Sequence, residues 1–209
     1  MIRNHKIRLF AYPAILIFLL GILLVGHHLI KPKHDLQKEA YYAIRSSNSH
    51  RLAKCIKKGL DVNGSIGIDL TPLLLSTTMR KEKITLLLIQ NGADVFIANS
   101  NGVTPFMQLA RYCSINLMGT LFIDPEKINL TDWEGQTALD YAVLSGNAKA
   151  LIFILDAGGT PGEKDVYWDR AISFLEEIGD TNNSAYLSNM KRKRIEQRGR
   201  STTSPQKKE

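Results

Sequence analysis

The side chains best suited to chemistry in this 209-residue chain are few and badly placed for it. Five histidines stand at positions 5, 27, 28, 34 and 50, crowded towards the N-terminus. His27-His28 is a pair that a metal could use, but it closes a long apolar run, where an interfacial end is the plainer reading. The two cysteines, Cys55 and Cys113, have no second ligand at metal-binding spacing and stand too far apart along the chain to suggest a disulfide. No glycine-rich phosphate loop, activated nucleophile or carboxylate pair at a defined spacing appears. The sequence therefore predicts no enzyme, no metal and no cofactor, and the question becomes what the remaining residues are arranged to present.

The arrangement is periodic. Thr71-Pro72-Leu73, Thr104-Pro105-Phe106 and Thr137-Ala138-Leu139 follow one another at a constant step of 33 residues. Gly59, Gly92 and Gly158 share one column of that ruler, with Pro125 in the open place. Gly102 and Gly135 form a second column, and Gly146 and Gly179 a third, in which Ser47, Arg80 and Cys113 fill the earlier slots. A fixed period of this size marks a stacked repeat array. The units read 38–70, 71–103, 104–136, 137–169 and 170–190, in register throughout.

Each unit carries the signals of two short helices. Thr followed by Pro caps and opens the first, since the hydroxyl accepts from an orphan N–H and proline fits the first turn. This predicts helices from 71, 104 and 137 that end near 80, 113 and 146. A second helix follows in "KEKITLLLIQNG", "SINLMGTLFIDP" and "NAKALIFILDAG", stopped by glycine or by Pro125. About a dozen Asp-, Asn-, Gly- and Ser-rich residues then lead to the next unit, with Val62, Val95 and Ile128 as one buried anchor apiece. Two short helices cannot close a core, so every unit must bury its apolar side on its neighbours.

The phrases "LLLIQNGADV", "IANSNGVTPFMQLA" and "DWEGQTALDYAVLSGNAKALIFILDAGG" resemble the ankyrin repeat, with its D-x-x-G-x-T-P-L opening, its aliphatic run and its G-A-D-V close. The resemblance covers about Leu36 to Asn189 and implies an all-α solenoid of about five helix-turn-helix units with finger loops, over 36–190. The histidine usual after T-P-L is replaced by Leu74, Met107 and Asp140. The family geometry implies a concave face made of fingertips and first helices. On it the expected partner-binding residues are Asn99 and Asn101, then Asp132, Trp133 and Glu134, then Tyr167 and Trp168 at tips, with Met107, Arg111, Asp140 and Tyr141 on the floor. Both tryptophans thus fall at tips, and tryptophan is enriched among interface hot spots; folding back on a neighbouring finger is the alternative for each. Acidic tips beside aromatic ones predict a partner with basic and apolar patches.

The ends differ from the array. After a basic flank, 1–8, the segment Leu9 to Ile30 holds no Lys, Arg, Asp or Glu. As a helix it measures about 33 Å, enough for a hydrocarbon core of about 30 Å. An uncleaved single-pass signal anchor over 9–30 with a linker at 31–35 is the expectation, and a cleaved signal peptide is its rival. Arg3, Lys6 and Arg8 ahead of the apolar segment favour a cytosolic N-terminus, with the repeats in a periplasm or a lumen. In a lumen Asn63, Asn129 and Asn182 would be glycan acceptors. The net charge of +7 lies almost wholly in the tail 191–209, which is expected to be disordered and basic, either simply solvated or touching anionic lipid. No nucleic-acid-binding face is expected.

A tethered array of preformed shape predicts recognition of another protein. By architecture it resembles ankyrin-type immunity proteins, which implies a secreted, envelope-attacking toxin as the partner and the inner membrane as the location. The alternative is a scaffold that positions or stabilises a resident envelope protein.

Overall fold

The fold, a computed structural model, describes residues 33–112, 115–121 and 123–202. The apolar segment 9–30, His27-His28 and Cys113 lie outside the described residues. No helix among the described residues is long and apolar enough to cross a membrane.

Among the described residues ten helices run in pairs: α1 (Lys33–Arg45) and α2 (Ser49–Lys57), α3 (Pro72–Thr78) and α4 (Glu82–Gln90), α5 (Pro105–Tyr112) and α6 (Ile115–Met118), α7 (Ala138–Leu144) and α8 (Ala148–Asp156), α9 (Asp165–Glu177) and α10 (Thr181–Thr202). No strand occurs among the described residues; one isolated bridge, Gly67 to Leu70, closes the first finger. The first helices start where the threonines dictate. Thr71 Oγ1 accepts from Leu74 N at 3.1 Å and Thr104 Oγ1 from Met107 N at 3.2 Å, while Thr137 forms a capping box with Asp140.

The core repeats at the same interval of 33. Ala43, Ser76, Leu109, Ala142 and Leu175 form one buried column on the first helices; Leu52, Thr85, Met118, Leu151 and Ser184 form another on the second. Helices this short are unstable alone, so each buried aliphatic, contributing about 1.5–3 kcal/mol, must reach across a unit boundary. Unit two places a polar pair in this core, Ser76 Oγ against Thr85 Oγ1 at 2.9 Å.

Three columns of left-handed backbone keep the same ruler. Residues 59, 92 and 158 have φ of +89, +84 and +88, and 69, 102 and 135 have +61, +75 and +81. Ser47 and Arg80 at +55 share the third column with Gly146 and Gly179. Non-glycine residues hold three of these strained places.

Four expectations need correction. Helix α1 begins at Lys33, so the expected linker 31–35 is already helical over 33–35. The second helix of unit three, expected over 114–125, is a single turn: Gly119 follows Met118 and costs about 1 kcal/mol in a helix interior, and Pro125 disfavours the helical conformation at Asp124. The first helix of unit five begins at Asp165, not near Arg170, because residues 159–164 form only a short loop in place of a full finger and no Thr-Pro pins the start. The tail, expected to be disordered from 191, is helical through residue 202 as part of α10. Lys191 reaches Asp169 at 2.5 Å and Arg194 approaches Asp165 at 3.6 Å, while the Arg194 guanidinium sits 5.4 Å over the Trp168 ring, which ties the helix to α9.

The candidate protein-binding groove

Three fingers, 61–70, 94–103 and 127–136, stand beside the first helices. The first closes through the backbone, Ile66 N donating to Leu70 O at 2.9 Å, and the other two through an acceptor side chain. Asn99 Oδ1 accepts from Asn101 N at 3.1 Å and Val103 N at 2.9 Å; one period later Asp132 Oδ1 accepts from Glu134 N at 3.0 Å and Gln136 N at 2.9 Å. Each finger is then tied to the next. The Asp69 carboxylate accepts from Ser100 N at 2.7 Å, Trp133 N donates to Asn101 O at 2.9 Å, and Tyr167 OH donates to Glu134 O at 3.1 Å. Gly102 permits the second finger to approach the third closely, since a Cβ there would stand 2.8 Å from Asp132 Cα.

This lattice sorts the expected partner-binding residues into two groups. Trp133 is 77% exposed at the third fingertip, placed by its backbone, and Glu134, Asn101 and half-buried Asn99 and Arg111 line the accessible surface with it. Met107, Asp132, Asp140, Tyr141, Tyr167 and Trp168 are buried.

The buried six serve the array. Asp132 Oδ2 accepts from Tyr141 OH at 2.9 Å. Burial, and then that bond to Asp132, push the Tyr141 hydroxyl well above its ordinary range. Asp140 Oδ2 accepts from Thr137 N at 2.9 Å, Thr137 Oγ1 at 3.1 Å and Gly162 N at 2.8 Å, which joins unit four to unit five. Its burial raises the carboxyl pKa, opposed by those same bonds. Trp168 belongs to helix α9, not to a tip; its Nε1 donates to Gly162 O at 2.9 Å. Met107 fills the core beneath the second finger. Asp132 and Asp140 thus accept from groups of the array and are not offered to a partner, while Glu134 stays exposed at its tip.

Two asparagines missed as structural parts complete the lattice. Asn63 accepts from Asp94 N at 2.8 Å and donates to Gly92 O at 3.1 Å; Asn129 accepts from Thr160 N at 2.8 Å and donates to Gly158 O at 3.5 Å. Their side-chain amides staple neighbouring units, which runs against a glycan on either. Between them in the column stands Phe96, packed on Phe106 with ring centroids 5.3 Å apart. Among the described residues no group of His, Cys, Asp or Glu could hold a metal ion, and Cys55 is a buried thiol whose pKa burial, then Glu39, push up.

At the C-terminal ends of the first helices in units one to three, arginines lie beside tyrosine rings. The Arg111 guanidinium lies 5.4 Å from the centroids of both Tyr112 and Tyr141, Arg80 lies 3.8 Å over Tyr112, and Arg45 lies 5.5 Å over Tyr41. Leu144 stands exposed in the same column of the first helices as Arg111.

Comparison with known proteins agrees with the geometry. Residues 75–165 match the family model of ankyrin repeats in three copies. Similar curated proteins are a mitochondrial disaggregase of Bos taurus, 21% identical over 194 residues and 88% of this chain, and the E3 ubiquitin-protein ligase XBAT33 of Arabidopsis thaliana, 33% identical over 95 residues and 45% of this chain. The chain spans 28% and 18% of the length of those two relatives. With its 33-residue register, threonine-capped first helices, stapled fingers and family match, the chain is an ankyrin-repeat protein.

Proposed function

We propose that this ankyrin-repeat protein is a membrane-tethered recognition module that holds one other protein in its groove. Ankyrin repeats bind other proteins, and the observation that carries the reading here is Trp133. Its indole is 77% exposed while its backbone is held by Asn101. An exposed tryptophan on an ordered loop gives a partner a large apolar contact at low ordering cost. Leu144 and Ile68, the latter almost fully exposed, extend the apolar contact.

The tether rests on the apolar run 9–30, with the N-terminus in the cytosol and the repeats across the membrane in the periplasm. In its narrowest form the reading makes the partner a secreted, envelope-attacking toxin and this protein the agent that neutralises it. Arg192 and Lys193, exposed on α10, remain available for anionic lipid.

A photo-crosslinking residue placed at 133 in the native cell tests the recognition surface, with exposed Lys149 on helix α8 as control. A discrete protein adduct at 133 and none at 149 is expected; the same adducts at both positions refute the groove. Protease added to cells with an opened outer barrier tests the orientation, since protected repeats would place them in the cytosol.

A further inference from the structure

The geometry points to an acidic, extended segment of the partner as the occupant of the groove over units one to three, bound by the carboxylates of its Asp and Glu side chains. This rests on the recognition reading above and reverses the sign of partner expected from sequence. Of the acidic residues that suggested a basic partner, Asp132 is engaged by Tyr141 and its own finger and Asp140 by Thr137 and Gly162, while exposed Glu134 takes the Gln136 side-chain amide of its own finger.

What remains is three guanidiniums in three successive units, Arg45, Arg80 and Arg111, each lying against tyrosine rings. Among the described residues no carboxylate lies within 4 Å of any of them, whereas Arg51, Arg194 and Arg198 all have one. Cation–π attraction to a ring leaves the N–H donors of a guanidinium free for a carboxylate, which the fork can take bidentately. Arg45 uses one N–H on Tyr41 OH at 2.9 Å and keeps the rest.

Adjacent first helices pack about 8–10 Å apart, so Arg45 and Arg111, two units apart, span about 16–20 Å. An extended chain covers that in about six residues. The matching segment therefore carries acidic side chains over about six positions, followed by an apolar residue that reaches Leu144 and Trp133.

The test uses the full chain in nanodiscs of uncharged phosphatidylcholine and a fluorescent peptide of about twelve residues, about 40 Å when extended, alternating aspartate with leucine. Lysine–leucine and asparagine–leucine versions serve as comparisons. The aspartate peptide is expected to bind at low salt, the other two not. The double variant Arg80→Gln with Arg111→Gln should weaken it about tenfold or more, and Arg111→Lys, which keeps charge but loses the bidentate fork, should weaken it as well. Arg192→Gln with Lys193→Gln, on α10, should leave it unchanged. The proposal is overturned if the lysine peptide binds equally, if the groove variants bind like the parent, or if the loss follows the α10 variant. A crosslinked partner at Trp133 whose contact segment is basic would overturn this inference while leaving the recognition reading standing.

Discussion

Asp140→Ala is the substitution that best separates a binding residue from a joint of the array. Its Oδ2 accepts from Thr137 N, Thr137 Oγ1 and Gly162 N. Truncation leaves two backbone N–H groups buried without a partner, at about 1–3 kcal/mol each, while relieving the burial of a carboxylate. A net loss of about 3 kcal/mol follows, which at about 2–4 °C per kcal/mol for a domain of this size lowers the melting temperature by about 6–12 °C. Trp168 reports the same joint, because its indole donates to Gly162 O; thermal melting by fluorescence on a Trp133→Phe background isolates it. A variant that melts within about 2 °C of the parent would refute the structural role. Asp140→Asn adds a pH signature. Burial raises the folded carboxyl pKa above its ordinary 3.8, so Asp140's contribution is full below that value and is lost as pH rises through the folded pKa. The melting temperature of Asp140→Asn relative to the parent should therefore rise as the pH is raised above 3.8.

Gly102→Ala should cost about 3 kcal/mol or more, since its Cβ would meet Asp132 Cα at 2.8 Å and Thr131 O at 2.9 Å; Gly92→Ala, with open space and φ +84, should cost only about 1–2 kcal/mol. Equal losses in urea unfolding would contradict the close finger contact. Ser47→Gly, at φ +55, should raise the urea midpoint by about 0.5–1 kcal/mol of stability. Removing residues 191–209 should lower helical ellipticity and shift Trp168 emission to the red, where loss of a disordered tail would leave both unchanged.

The register, the helix starts at 71, 104 and 137 and the glycine columns were legible because they are local: a threonine hydroxyl, a proline ring and a left-handed backbone each act within a few residues. Which finger residues face outward was not, because that depends on contacts one period away. Trp133 and Trp168 look alike in sequence, yet the second is drawn into helix α9 by the short loop 159–164 and closes on Gly162. One signal could have warned of this: Asn99 and Asp132 share a column, each three residues ahead of a glycine, and an acceptor repeated at the same place in a turn marks a turn-closing role. The single-turn α6 was foreshadowed by Gly119 in the middle of its segment. Arg45 with Tyr41 and Arg111 with Tyr112 are local pairs, but Arg80 meets Tyr112 and Arg111 meets Tyr141 only after the units pack.

Trp133 is positioned by a main-chain bond from its N–H to the Asn101 carbonyl, and its side chain takes no part in holding the finger. Any amino acid but proline can make that bond. The fingertip is thus a socket whose fitting can be exchanged while the frame stays intact, so a descendant of this chain, natural or designed, can be retargeted to a new ligand by one codon change at 133 without first having to repair its fold.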